Sequence, residues 1–598
     1  MRYETLVRVL DQIRAEAPAQ QSSRYRPPEE NVEKVNQARA RAFIHLYLKV
    51  MFGLTDFIER ERTITDGAAD AGIDGYFIDT DTKTIHIVQS KFRTTEKNFE
   101  SKEISLDELL AMDITRVLDG ELKDELGVEY NGKIKQFQRD VSSLPDVARF
   151  SYRVVILANL TGVPASKLKI LTGGYAAEVF DFEKTYQKLV FPVVTGNFFA
   201  ASDIIIPIDL SNKNSGSKIS YNVKTKYSDC EITVLFVPTL QIARVMHKYK
   251  NAILKYNPRS YLEFEGKNVH AAIRESIVST HTNEFAIFNN GITMLSEETN
   301  INEKIGQKNK AQLRIKNPQI INGGQTSFTL SRIYSENMAQ AESLFEDKEV
   351  LLKIITVLDN DSDNAKLQLI DDISTATNKQ TPVVNADRFA NDAIHLAVQR
   401  KMFERYGILY ERKRGEFSDG LRDGYVKAHD IVERNKFWRL YYAANGQISK
   451  GREKRLFQKN DFAAIDLSDN TAFDRTFLAL GAFRRLRPTD RPETPMSSDM
   501  YAMIFMYVEL YLPEVLRGKS DVDLDMDIDR LKTEWKDFIK KQSDALTPNR
   551  RAYIDSHGVA QVKVTPQMYR PGASLASDLS RYLRAKGEEA AAQATLSN

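Results

Sequence analysis

Among 598 residues there is a single cysteine, Cys230, and there are two tryptophans. A lone thiol closes no disulfide within the chain and cannot build a cysteine-rich zinc site, so a reducing compartment is expected. An excess of charge of one sign is also missing. The 84 Lys and Arg are set against 82 Asp and Glu, net +2, which excludes a uniformly basic coat that clamps nucleic acid over its whole surface. Long apolar runs are lacking. The nearest, Tyr501–Leu512, contains Glu509 and falls short of the roughly 18–20 residues that span a bilayer. The opening MRYETLVRVLDQIRAEA is charged and amphipathic, without the apolar stretch of a secretory signal. A cytoplasmic location with no membrane partner is the expectation. The eight histidines show no HExxH and no paired ligand spacing, and G-x-S-x-G is absent. Arg517–Ser520 (RGKS) lacks the leading glycine of a phosphate loop. Asp521–Asp529 has Met526 where a calcium loop needs glycine.

What is present is an ordinary globular composition, 42% hydrophobic and 28% charged, in a chain long enough for several folding units of about 100–200 residues. Helical spacing marks the N-terminal segment, through Leu6, Leu10 and Ile13, and then Asn31 to Phe52, which Gly53 ends. From about Glu61 the period changes to two, with strands expected near Glu61, Asp74 and Thr84. Helices are expected after Ser105, and a buried strand at Arg153–Leu160. KLVFPVV (Lys188–Val194), DIIIPIDL and EITVLFVPTL read as strands, FAIFNNGITML as a strand with a turn, and the chain beyond about Asn364 as mainly helical.

The most informative stretch runs from Thr65 to Phe92. A turn at Asp81-Thr82 sets a constant index sum, which places Asp74 opposite Gln89–Ser90. Gln89 and Lys91, two apart, leave the strand by one face. A carboxylate, an amide oxygen and an ammonium converging beside apolar strands suit metal-assisted phosphodiester hydrolysis. Asp74 and Gln89 are the expected holders of Mg²⁺ (with Mn²⁺ as a substitute), and Lys91 the group that orients water or steadies developing charge. Asp74, then Gln89-x-Lys91, resembles the PD-(D/E)xK nuclease superfamily in its Mrr-like variant, in which Gln replaces the second acid. The resemblance implies a restriction-endonuclease-like αβββαβ core over residues 31–165. Many members also carry a glutamate on the first core helix, which has no clear match here; Glu33 and Asp70 are candidates.

Asn and Gly recur where strands turn in the middle of the chain, at FNNGITM (Phe288–Met294) and INGGQTS (Ile321–Ser327). ISTATNKQTPV and YERKRGE (Tyr410–Glu416) follow. The series resembles the C-terminal domain of abortive-infection phage-resistance (AIPR) proteins over about Gln241–Ala444, which implies a role in bacterial antiviral defence. Asn290, Asn322, Gly323, Gly324, Gln325 and Thr326 would form tight turns and a helix start open to an anion, with Lys379, Arg412, Lys413 and Arg414 completing a phosphate or nucleic-acid site. The same residues also suit plain turn formation and backbone capping. Residues 401–460 carry 15 Lys/Arg against 8 Asp/Glu with ten aromatics, a composition that fits a nucleic-acid backbone or, at helical spacing, a core.

The expected organisation is α/β: an N-terminal helix and loop (1–30), the nuclease-like domain (31–165), a β-rich connection (166–240), a mixed α/β AIPR-like domain (241–445) and a mainly helical C-terminal region (446–598). The expected function is a Mg²⁺-dependent nuclease of antiphage defence, with DNA favoured over RNA as its partner. A phage-derived trigger or a defence-system protein is an expected further partner, and a homodimer would let two sites cut two strands. The alternative is a non-catalytic nucleic-acid or nucleotide sensor, or a scaffold in a multi-component system.

Overall fold

Asn31 begins a long helix, Val32–Phe52: its side chain accepts the Lys34 N–H (3.1 Å), and Gly53 ends the helix at φ +67°. Ala38, Ala42, Leu46 and Val50, four apart, are all buried. The computed structural model describes residues 2–80, 82–109, 111–160, 163–196, 203–209, 219–226, 228–257, 267–279, 282–306, 308–358, 369–370, 372–373, 376, 392–413, 415–453, 462, 465–487, 498–516, 527–557, 559–569 and 574–596. They form two units: Met1–Asp392 with Phe403–Ile431, and Ala393–Met402 with Val432–Asn598.

In the first unit, strands β1 (Gly75–Asp79) and β2 (Thr84–Ser90) make a hairpin in the expected register, Gly75↔Val88 to Asp79↔Thr84. Strand β3 (Ser151–Leu157) runs parallel to β2, and β4 (Ala177–Val179) parallel to β3. The period-two pattern divides the sheet's faces. Tyr76, Ile85, Ile87, Val154 and Ile156 pack with Ile134, Phe137 and Val141 of the helix Gly132–Ser142. Val88, Val155 and Leu157 pack with the helices Arg2–Ala15 and Val32–Phe52. The returning segment adds Phe403, Leu409, Phe417 and Tyr425 to that second layer. Lys49 donates to the Tyr425 hydroxyl (2.7 Å), and Arg8 pairs with Asp430 (2.5 Å).

Two expected strands are helical. Around Glu61 the chain forms the helix Phe57–Arg62, capped by the Asp56 side chain, and the first strand shrinks to one antiparallel bridge, Ile64↔Gly75. Lys188–Val194 is helical as well, because Asp181 caps the segment's start. Tyr186, Leu189, Val190, Val193 and Val194 are then all buried along a helical course with a π-helical turn at Tyr186–Val190, and this spacing outweighs β-branched content. The described part of 166–240 therefore combines these helical turns with strands.

A second sheet in this unit has the order β11 (Gln319–Asn322), β8 (Ile292–Ser296), β12 (Glu349–Val357), β7 (Asp229–Pro238), β6 (Ile219–Lys224). A third pairs β5 (Asp203–Asp209) and β9 (Glu298–Asn302) on either side of β10 (Lys310–Lys316). FAIF does not extend β8; Phe285–Phe288 is a helical turn.

The second unit is mostly helical. Phe437, Trp438, Tyr441 and Tyr442 of the helix Arg434–Ala444 are buried, with Tyr441 against Phe473 of the helix Asn470–Leu486. These aromatics form a core and do not serve as stacking platforms for bases. A β-hairpin of Asn549–Ile554 and Ala560–Thr565 lies among the helices. Among the described residues no helix is long and apolar enough to cross a membrane.

Gly291, at φ +82°, turns the chain into β8 so closely that a Cβ there would lie 2.7 Å from Leu351 O. Gly306 has a similar φ, +75°, with open space around it. Gly291→Ala is expected to destabilise the protein by about 3 kcal/mol and Gly306→Ala by about 1. The difference is read from urea midpoints.

Candidate metal and nucleic-acid site

Asp74 stands one residue ahead of β1. Its N–H donates to Val88 O (2.8 Å), and its Oδ2 accepts the Ser90 N–H (2.6 Å). One step beyond the Gly75↔Val88 pair, Asp74 comes abreast of Gln89, on the sheet face of Tyr76 and Ile87. Gln89 is buried, and its Nε2 donates to Gly72 O (3.0 Å), so its amide also holds the preceding turn. Lys91 follows β2 directly, exposed, with its N–H on Leu157 O (2.9 Å). The hairpin thus gathers the three residues at one end.

The loop leading into Asp74 is tightly folded. Ala69 (φ +56°) and Ala71 (φ +58°) adopt the left-handed conformation, which costs alanine roughly 1 kcal/mol each. Asp70 closes the loop, its two carboxylate oxygens accepting the Gly67 and Gly72 N–H groups, both at 3.0 Å. Asn131, at the start of the helix Gly132–Ser142, ties it down by donating to Thr65 O (3.0 Å). The consequence is chemical. Asp66, Asp70 and Asp74 each bring one oxygen to within 4.8 Å of the others. Burial, reinforced by the negative charges of Asp66 and Asp70, pushes the Asp74 carboxyl up to about 7, against the Ser90 N–H and Arg41. Asp70 is also raised, chiefly by burial. Crowded hard oxygen donors with raised affinity for positive charge fit a divalent cation such as Mg²⁺ or Mn²⁺.

Asp66 is the residue that sequence reasoning missed. Its signal was the even spacing of Asp66, Asp70 and Asp74, four apart, in a stretch of Gly and Ala. Of the two candidates for an additional acid, Asp70 joins the cluster. Glu33 is exposed in the first turn of its helix and accepts from Gln37 (3.4 Å).

Arg41 reaches Asp66 from the helix Val32–Phe52, donating to Asp66 Oδ2 (2.8 Å) and Asp66 O (2.9 Å). The same guanidinium donates to Tyr25 Oη (2.8 Å) and Glu61 (3.3 Å). Behind it His45 is fully buried. His45 Nδ1 accepts from Arg60 Nε (3.2 Å), which puts the ring proton on Nε2, facing Tyr25 Oη (2.8 Å) and Glu61 (3.2 Å). The His45–Glu61 contact is therefore a hydrogen bond from a neutral ring.

The residues proposed in the middle of the chain are distributed differently. The two Asn/Gly turns meet: Asn289 accepts the Gly291 N–H (2.9 Å) and donates to Thr326 Oγ1 (3.2 Å), and a Cβ on Gly323 would lie 3.0 Å from Gly291 O. Asn322 Oδ1 accepts the Gly323 N–H (2.6 Å), and Gly324, Gln325 and Thr326 open the helix Gly324–Glu336. Asn290 is exposed beside them. Arg412 and Lys413 are buried. Arg412 pairs with Glu416, and Lys413 Nζ donates to Lys255 O and Asn257 O, both at 2.6 Å, with burial bringing its pKa down to about 7. Both charges are used inside the fold rather than presented to a ligand. Lys379 and Arg414 lie outside the described residues.

Residues 254–540 match the family model of AIPR proteins. The matched stretch contains the Asn/Gly turns and leaves the carboxylate cluster outside it. No curated protein and no solved structure matches the chain.

His45 makes the fold sensitive to acid. Burial, with Arg60 and Arg41 nearby, lowers its pKa from 6.5 to about 4. The unfolded chain therefore takes up this proton before the folded one, and stability falls as pH drops from about 6.5 to about 4, by about 3 kcal/mol in total. Glu61, held down to about 2 by His45, Arg41 and Tyr25 despite its burial, adds a further loss below the ordinary glutamate range. Urea unfolding at a series of pH values is expected to show this slope, and His45→Asn to remove its upper part.

Proposed function

We propose that the chain is a metal-dependent nuclease acting in bacterial antiphage defence by abortive infection, with DNA as its favoured substrate. The defence role is supported by the AIPR match over residues 254–540. The chemistry is supported by one observation above all: three carboxylate oxygens within 4.8 Å at the end of the hairpin that carries Gln89 and Lys91.

In this reading Asp66, Asp70 and Asp74 hold the cation. When bound, Mg²⁺ or Mn²⁺ supplies polarisation of a phosphoryl oxygen and a more acidic water. Arg41 fixes the Asp66 carboxylate, and Gln89 fixes the turn at Gly72 from which Asp74 emerges. Lys91, exposed at the same end, offers its ammonium to a phosphate oxygen or to the attacking water. Catalysis of this kind rests on positioning and on charge placed before the reaction begins.

A second reading, a non-catalytic nucleic-acid or nucleotide sensor, draws on Asp70, both of whose oxygens already accept backbone N–H groups. Purified protein with Mg²⁺ or Mn²⁺, offered plasmid, linear duplex, single strands and RNA, separates the two. Cleavage is expected, and Asp74→Ala and Lys91→Ala should each lower it by about 100-fold or more. Unchanged cleavage in both variants removes this site, and tight binding without turnover under either metal establishes the sensor.

A further inference from the structure

The hairpin of Asn549–Ile554 and Ala560–Thr565 has every strand residue exposed. It lies beyond the AIPR match, which ends at residue 540. Its register separates two faces, because directly paired residues and those two apart share a side. One face carries the pairs Asn549↔Thr565, Arg551↔Lys563 and Tyr553↔Gln561; the other carries Arg550↔Val564, Ala552↔Val562 and Ile554↔Ala560. The six paired side chains of the first face are all of hydrogen-bonding types and none is an acid; Asp555 continues that face at its turn end, bonded to Gln561. At its centre Arg551 and Lys563 sit directly across from one another, a like-charge pair that disfavours the hairpin. No acidic side chain pairs with either among the described residues. The acid nearest in sequence, Asp555, is taken up by the turn, accepting from the His557 and Val559 N–H groups and from Gln561 Nε2.

We infer that this hairpin is a β-ribbon that enters the major groove of duplex DNA with the Arg551–Lys563 face inward. A polyanion converts the central repulsion into attraction, which neutral or mixed protein surfaces do not. The major groove, about 12 Å wide, admits a two-stranded ribbon. Arg551, Lys563, Asn549, Gln561 and Thr565 are the side-chain types that meet phosphates and base edges there. The deep, narrow major groove of duplex RNA excludes such a ribbon. The inference deepens the nuclease reading and rests on it for the kind of polyanion, but it requires no cleavage.

The test is fluorescence anisotropy of the full chain with a labelled DNA duplex in EDTA, across a salt series. Without metal, binding is read apart from catalysis, so an inert Asp66/Asp70/Asp74 cluster leaves the inference standing and failure of the ribbon leaves the cluster standing. Arg551→Ala with Lys563→Ala is expected to weaken duplex DNA binding by about tenfold or more and to reduce the salt slope by about 2. Both side chains are exposed and their mutual repulsion is removed, so the melting temperature should not fall. Duplex RNA should bind more weakly than DNA, and the double variant should leave RNA binding unchanged. Unchanged DNA affinity and slope in the double variant overturn the inference. So does a loss of self-association in Ile554→Ser with Val562→Ser alongside unchanged DNA binding by the double variant, which would make a second copy of the chain the occupant.

Discussion

Three carboxylates held within 4.8 Å of one another set the constraint around which the N-terminal part of the first unit is organised. Each like-charged pair at that separation repels by about 3 kcal/mol at the effective dielectric of a protein surface. The structure answers in three ways. Asp74 holds its proton to about 7, Asp70 spends its oxygens on the loop's own N–H groups, and Asp66 is paired with Arg41. Arg41 in turn is held by Tyr25 and Glu61, and Glu61 by neutral His45. A buried polar network thus reaches from the core to the mouth of the hairpin. Such a network fixes positions more than it adds stability.

Much of the hairpin was legible. A single index sum, set by the turn at Asp81-Thr82, foretold that Asp74 would come abreast of Gln89. Asn31 and Gly53 marked the ends of the helix that carries Arg41. Asp66 was passed over despite its even spacing with Asp70 and Asp74, because an aspartate in a Gly/Ala-rich stretch has the appearance of turn chemistry. Its place in the cluster depends on left-handed Ala69 and Ala71, a conformation that alanine's intrinsic preferences argue against. The bridge at Ile64 and the helical course of Lys188–Val194 were missed for a related reason: side-chain caps from Asp56 and Asp181 settled what β-branched composition left ambiguous.

The AIPR-matched region shows the same limits. Its Asn and Gly turns were visible as turns, and the structure adds that they pack on each other through Asn289, Gly291 and Gly323. Arg412 and Lys413 were expected to complete a phosphate or nucleic-acid site, since nothing in a single sequence separates a buried lysine on backbone carbonyls from one open to a ligand. Of the aromatics of 401–460, Phe437, Trp438, Tyr441 and Tyr442 turned out to be core at helical spacing. The near-zero net charge of the whole chain therefore says little about partners, because some basic groups, such as Arg412 and Lys413, are internal and others, such as Arg551 and Lys563, are concentrated on one small element.

Whether Asp66, Asp70 and Asp74 hold a divalent cation is read by isothermal titration of the full chain with Mn²⁺. The structure predicts saturable binding that is lost in Asp74→Asn and weakened in Asp66→Asn, with the fold retained. Binding that is absent from the unaltered chain, or that is the same in both variants, would contradict it.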